Sequence, residues 1–382
     1  MTDRNGRMDR RQLLAGAGAA SVAAALPGSA AAEILPWHRK AGDANLETMI
    51  GQMLLVGFVG AGMSSSWSQK LVTQLRAGEI GGVMFLKHNV KSRSGAIEMA
   101  KAMRSSGAAV PGFTSLDHEG GAVQRLSSRK GYTNLPSARD VATRKSPDQA
   151  RALYRTAAQE LSASGFNFNL APVVDLAVNP RNPVIAKHGR AYSRDPKTVV
   201  AYAGAFIDAH REAGVITSIK HFPGHGSSNA DSHDGFVDIS KTWAQSEVEP
   251  FRQLAASGRA KSVMTGHLYH KSFTDGGNAP VTFSRKAVHD TLRKRLGYQG
   301  VVVTDDLDMG AIRRRYNLTD ALVRAIAAGH DIVMMSNSAK PDPDLPARAI
   351  EAVLKAVADG RIDEAEIAKS YRRIIGLKRR IA

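Results

Sequence analysis

The chain has 382 residues, 43% of them hydrophobic and 23% charged, which is enough for a large core in one big domain or two ordinary ones. It contains no cysteine, which excludes disulfides, thiolate nucleophiles, zinc ribbons and iron–sulfur clusters. Its net charge of +17 favours anionic surfaces, a cell wall or a membrane face; no zinc finger, RNP motif or basic recognition helix is present, so nucleic acid is not an expected partner.

The first element in chain order is a leader. Arg10 and Arg11 precede Leu13 and Leu14, and a weakly apolar Ala/Gly-rich run continues to Leu26. Pro27, Gly28 and the small residues Ser29 to Ala32 follow. A basic start, a short apolar stretch and an Ala-x-Ala end describe an export signal over residues 1–32, of the twin-arginine type, cleaved near Ala32. The run is too short for a comfortable membrane span. A linker over 33–45 is expected next, and the export signal points to the periplasm or cell envelope.

Residues 46–382 alternate apolar, strand-like runs with amphipathic helical segments. Strands are expected at "MLLVGF" from Met53, "GGVMFL" from Gly81, "GFTSLD" from Gly112 and "NFNLAPVVDL" from Asn167. Four more are expected at "TSIKHF" from Thr217, "SVMTGH" from Ser262, "GVVVTDD" from Gly300 and "DIVMMS" from Asp331. Helical patterns between them cover residues 66–76, 147–164, 196–212, 287–296, 311–328 and 346–358. Eight short strands with helices between predict a single-domain (β/α)8 TIM-type barrel. The alternative is an open doubly wound sheet, but no GxGxxG follows the first strand.

Chemically able residues gather where these strands end. Asp117, Asp175, Lys220 with His221, His267, and Asp305 with Asp306 each close a strand candidate. Barrels of this kind build their active sites at the C-terminal ends of strands.

The densest stretch is "KHFPGHGSSNADSHDG", Lys220 to Gly235, in a long loop after the fifth strand. A metal-dependent hydrolase using His221, His225, Asp231 and His233 is one reading. Phe222-Pro223-Gly224 opposes a helix there, and Lys220 would stand beside the cation. Acid–base chemistry is another: in an extended segment Asp231 and His233 point to one side, and the carboxylate fixes the imidazole tautomer. At "VVVTDDLDMGAI" a carboxylate at a barrel mouth suits nucleophilic attack or stabilisation of a cation. Parity does not choose between Asp305 and Asp306. In "LDHEGGAVQRL", Asp117 and Arg125 can accept from and donate to a sugar, or pair with each other.

"KHFPGHG" with its "DSH", "LDHEGGAVQRL" upstream and "VVVTDDLDMGAI" downstream resemble glycoside hydrolase family 3, and within it the single-domain NagZ-type β-N-acetylglucosaminidases. The resemblance runs from about Ile50 to beyond Met335. It implies that Asp305 is the nucleophile, His233 the acid/base and Asp231 its partner. It implies that Asp117, Arg125, Arg190, Lys220 and His221 hold an N-acetylglucosamine ring. It also implies a retaining hydrolysis of terminal N-acetylglucosamine from peptidoglycan fragments or related glycans, without metal or organic cofactor; a monomer is expected. Ala122 stands where the family commonly has Arg in "EGGRV", which leaves aglycone preference open. A non-catalytic glycan-binding envelope protein remains a further alternative.

Overall fold

The computed structural model describes residues 44–274 and 277–381. The expected export signal, its cleavage point and residues 33–43 of the expected linker lie outside the described residues.

The strands of the main sheet run in chain order as β1 (Leu54–Gly57), β2 (Gly82–Phe85), β3 (Phe113–Leu116) and β4 (Phe168–Asn169). They continue as β5 (Ile216–Phe222), β6 (Ser262–Thr265), β7 (Val301–Thr304) and β8 (Val333–Met335). Each lies parallel to its neighbours, and β1 pairs with β8 with Leu54 opposite Val333. Between β7 and β8 the ring closes at a parallel bridge of Val303 and Ile332, where the Ile332 N–H donates to the Val302 carbonyl at 3.1 Å. The fold is therefore the expected barrel rather than the open sheet. Its strands are apolar on consecutive residues, as in Val301-Val302-Val303, because side chains on both faces are buried. Core residues fill the space between strands and helices, with Phe58, Phe85 and Phe166 in edge-to-face contact at centroid distances of 5.2 and 5.0 Å.

Helices begin at the caps that the sequence supplies. Ser146 and Gln149 form a reciprocal capping box ahead of Pro147–Ala163. The Asp195 carboxylate accepts from the Lys197 and Thr198 N–H groups ahead of Pro196–Glu212. Where one helix was expected over 311–328 there are two, Gly310–Arg313 and Leu318–Ala328. Asn317 accounts for the break: its side chain accepts from the Asp320 N–H at 2.7 Å and starts a new helix.

Two departures position the site. The fourth strand was expected over 167–176 but is regular only at Phe168–Asn169. Pro172 has no N–H for the ladder, and contact resumes as a bridge from Val173 to Lys220. That path delivers Asp175 beside the end of β5. In β5 itself the register against β6 shifts between Ile219 and Phe222. An irregularity of this kind re-aims side chains, here Lys220 and His221.

Candidate active site

The C-terminal ends of β3, β5 and β7 supply the charged groups. Lys220, within β5, donates its ammonium to Asp117 Oδ1 at 2.6 Å and to Glu119 Oε1 at 2.7 Å. Glu119 also takes Arg190 in a forked pair, Nε and Nη2 each at 2.8 Å. Side-chain exposure in that pair is only 9% and 6%, so the geometry is a desolvated, two-point ion pair. Arg125 reaches Asp117 Oδ2 more loosely, at 3.4 Å, and its Nε is buried without a hydrogen-bond partner. Four of the sequence-predicted groups, Asp117, Arg125, Arg190 and Lys220, are thus brought into one network. Glu119, which joins two of them, was missed. Its signal was its place two residues after Asp117 in "LDHEGG".

Burial pushes the Asp117 and Glu119 carboxyls up, but the neighbouring cations outweigh it and hold both below the ordinary carboxylate range. Burial likewise works against the Lys220 ammonium, and the two carboxylates more than compensate, so it stays charged.

His221 is the fifth predicted ring-holding residue. Its Nδ1 lies 2.7 Å from Asp175 Oδ2, while Asp175 Oδ1 accepts from the His221 and His225 N–H groups at 3.1 and 2.8 Å. Burial acts to raise the Asp175 carboxyl, yet the imidazoles and N–H donors leave it below its usual value. An ionised acceptor fixes the proton of His221 on Nδ1 and leaves Nε2 facing away from Asp175. Nε2 makes no hydrogen bond to the described residues.

Asp231 and His233 are paired as expected, but by a different geometry. The segment is a turn, not a strand. Asp231 Oδ1 accepts from both the His233 N–H at 2.9 Å and its Nδ1 at 2.7 Å, an Asx-turn closed on the same side chain. The His233 side chain is 61% exposed and Asp231 27%. The turn is tied to the barrel: the Gly310 N–H donates to the His233 carbonyl at 3.1 Å and the Ala311 N–H to that of Ser232 at 3.2 Å.

The structure distinguishes the two consecutive aspartates. Asp306 Oδ1 accepts from the Asp308 and Ser336 N–H groups at 3.0 and 2.7 Å, and burial raises this carboxyl to about 6. It organises the exit of β8. Asp305 Oδ1 accepts from the Asp306 N–H at 2.8 Å, and its other oxygen has no protein partner among the described residues. Burial would raise Asp305, but the imidazoles of His267, His221 and His233 and the Asp306 N–H hold it below its ordinary value. A single field thus connects β7, the end of β5 and the loop dyad.

The histidine cluster is parcelled out among other partners. His225 Nδ1 lies 2.8 Å from Ser228 Oγ and its Nε2 3.2 Å from Ser232 Oγ. His267 is held between Thr282 Oγ1 and the Asp306 carbonyl. Among the described residues no group of three or more His, Asp or Glu side chains is arranged to hold a metal ion.

The profile described as "Glycosyl hydrolase family 3 N terminal domain" matches residues 45–377. The chain is 30% identical to Beta-hexosaminidase A of Pseudoalteromonas piscicida over 79% of its own length, and spans about half of that protein, 54%. It is 34% identical to Beta-hexosaminidase LpqI of Mycobacterium tuberculosis, covering 72% of this chain and 70% of that one. The solved family 3 β-N-acetylglucosaminidase from Paenibacillus sp. str. FPU-7 superposes with a TM-score of 0.80 at 31% identity, over 88% of this chain and 63% of that one. With the profile spanning nearly all of the barrel and 34% identity to LpqI over 282 residues, the chain belongs to glycosyl hydrolase family 3.

Proposed function

We propose that the protein is a retaining exo-β-N-acetylglucosaminidase that removes terminal N-acetylglucosamine from peptidoglycan fragments or related glycans. The observation that carries this reading is the half-free Asp305 carboxylate at the end of β7, whose following segment, at Gly310 and Ala311, hydrogen-bonds the loop that bears Asp231 and His233. The names of the relatives supply the hexosaminidase class.

In the proposed reaction the unpartnered Asp305 oxygen attacks the anomeric carbon and the bond to the leaving oxygen breaks. His233, doubly protonated and held at Nδ1 by Asp231, gives its Nε2 proton to that oxygen. The glycosyl–enzyme ester is then attacked by water, which passes a proton to Nε2, and the sugar leaves with its configuration retained. This is the double-displacement scheme of retaining glycosidases with an imidazole as the acid. Asp117, Arg125, Arg190, Lys220 and His221 are assigned to the sugar ring. Among the described residues Arg125 Nε and His221 Nε2 have no hydrogen-bond partner, and a hydroxyl or acetamide oxygen would satisfy them.

Trapping with a fluorinated N-acetylglucosamine analogue, followed by peptide mass mapping, tests the reading. Label on Asp305 is expected. Turnover that continues without any trapped ester, or an ester at another residue, overturns it. Placement in the envelope rests on the twin-arginine-like start, and exported protein should begin near residue 33. Exported protein that retains Met1 contradicts it.

A further inference from the structure

The end of the barrel opposite the site carries a cluster of cations that the glycosidase reading does not use. Lys261 stands directly before β6, where β5 begins at Ile216 and β7 at Val301. Two cavities share Lys261 and Arg380. One, of about 290 Å³, is also lined by Arg211 and Arg259, with Ile216 and Ile381 as apolar walls. The other, of about 440 Å³, also meets Arg373. Among the described residues no Asp or Glu lines either one.

The nearby acids are already engaged. Asp208 takes Arg211 at 3.0 Å and Arg259 at 3.2 Å, and Asp331 takes Arg373 at 3.0 Å. Lys261 and Arg380 make no ion pair among the described residues. Lys261 is half-buried, and burial together with the Arg380 and Arg211 charges lowers its ammonium from the ordinary value. Partly buried Lys261 faces the exposed Arg380 and Arg211 charges with no acid of its own among the described residues, a repulsion that a bound anion removes. The guanidinium fork matches phosphate oxygens in pairs, and the lysine adds a point charge. Cavities of this size admit a phosphate ester as well as a bare ion.

We propose that Lys261, Arg380 and Arg211 form a second binding site, for a phosphate group, on the N-terminal face of the barrel. A soluble phosphate ester and a phospholipid headgroup share this chemistry. The site is separate from the sugar site, and its occupancy does not depend on the catalytic assignment.

The test is thermal unfolding of the full chain in inorganic phosphate against chloride of equal ionic strength. The wild type should show a saturable rise in unfolding temperature with phosphate. Lys261→Met with Arg380→Gln should weaken the apparent affinity roughly 10- to 100-fold, the loss expected for removing charged hydrogen-bond donors. Lys101→Gln with Lys197→Gln removes the same charge from exposed positions elsewhere and should keep the response. Cleavage of p-nitrophenyl N-acetylglucosaminide should be equal in all three forms, and serves as a separate check on the enzyme reading. No rise in the wild type, or equal rises in all three, overturns the proposal. Sedimentation with phosphatidylglycerol vesicles then identifies the source. Loss of vesicle binding in the Lys261/Arg380 variant alone supports a lipid headgroup; phosphate binding without vesicle binding supports a soluble ester.

Discussion

The carbonyl oxygen of His233 accepts a hydrogen bond from the Gly310 N–H at 3.1 Å, just beyond Asp305 in the chain. The proposed acid and the proposed nucleophile therefore ride on one hydrogen-bonded unit, although they are more than seventy residues apart in sequence. The loop after β5 is fixed at its tip by the segment after β7.

Gly310 is the weak point of that joint. A Cβ there would lie 2.4 Å from the His233 carbonyl oxygen, a backbone atom that cannot swing aside. Gly310→Ala should push the imidazole from its place while leaving Asp305 in position. A misplacement of about 1 Å can cost on the order of 100-fold in rate. The loss should be large for substrates with poor leaving groups and small for activated aryl glycosides, which need no proton. Equal rates for variant and wild type on both would show that the working enzyme does not hold the loop this way.

Glu119 ties Arg190 and Lys220 together. Glu119→Gln replaces a forked ion pair with Arg190 by a neutral amide and removes one of the two carboxylates on Lys220. Breaking a buried pair from one side typically costs about 3–5 kcal/mol, because the other charge is left uncompensated. The variant should unfold at a markedly lower temperature, and its KM should rise more than its kcat falls. Glu119→Asp, which keeps the charge, should recover part of both. A variant with wild-type KM would remove Glu119 from the binding network.

Much of this was legible before any coordinates. Runs such as Val301-Val302-Val303 ending in acids announced the barrel and the end where charged groups gather, because strands covered on both faces must be apolar until they emerge. The limits of β4 were less legible: "NFNLAPVVDL" reads as a single strand, and only the missing N–H of Pro172 interrupts it. The helix break at Asn317 has one residue as its local sign, while apolar periodicity runs on either side of it. Asp305 and Asp306 could not be separated by pattern, since both faces of β7 are buried. What separates them is which carboxylate the β8 exit consumes, a contact between Asp306 and Ser336 thirty residues away. Glu119 had a local sign, its place two residues after Asp117, but its ion pair with Arg190 spans 71 residues and leaves no pattern in the sequence.

The Asp305/Asp306 distinction predicts opposite phenotypes. Asp305→Asn should abolish turnover with little change in unfolding temperature, since the side chain supports no other element. Asp306→Ala strands the Asp308 and Ser336 N–H groups, at about 1–3 kcal/mol each if they stay buried. Its main effect should be loss of stability, read by thermal unfolding. Full turnover in Asp305→Asn would reverse the assignment.

Stability should fall as the solution is acidified from pH 7 towards 4. Burial pushes His118 and His330 down to about 3 and His210 and His225 down to about 4. In the unfolded chain each takes a proton near 6.5, so through this window the unfolded state binds more protons and is favoured. Glu247 acts in the other direction. Burial raises it from 4.5 to about 7, so between those values the folded state holds the extra proton and stability falls as pH rises, with no further loss above 7. Its two oxygens accept from the Ser227 and Ala244 N–H groups at 3.1 and 3.2 Å, which anchors the base of the loop after β5. Four imidazoles outweigh one carboxyl, so the denaturant midpoint should be lower at pH 4.5 than at 7.5. Glu247→Gln cannot ionise. Relative to wild type it should gain stability on going from pH 5 to 8, by about 3 kcal/mol at most for a shift of this size. Parallel pH profiles for the two proteins would show that Glu247 does not titrate within the fold over that range.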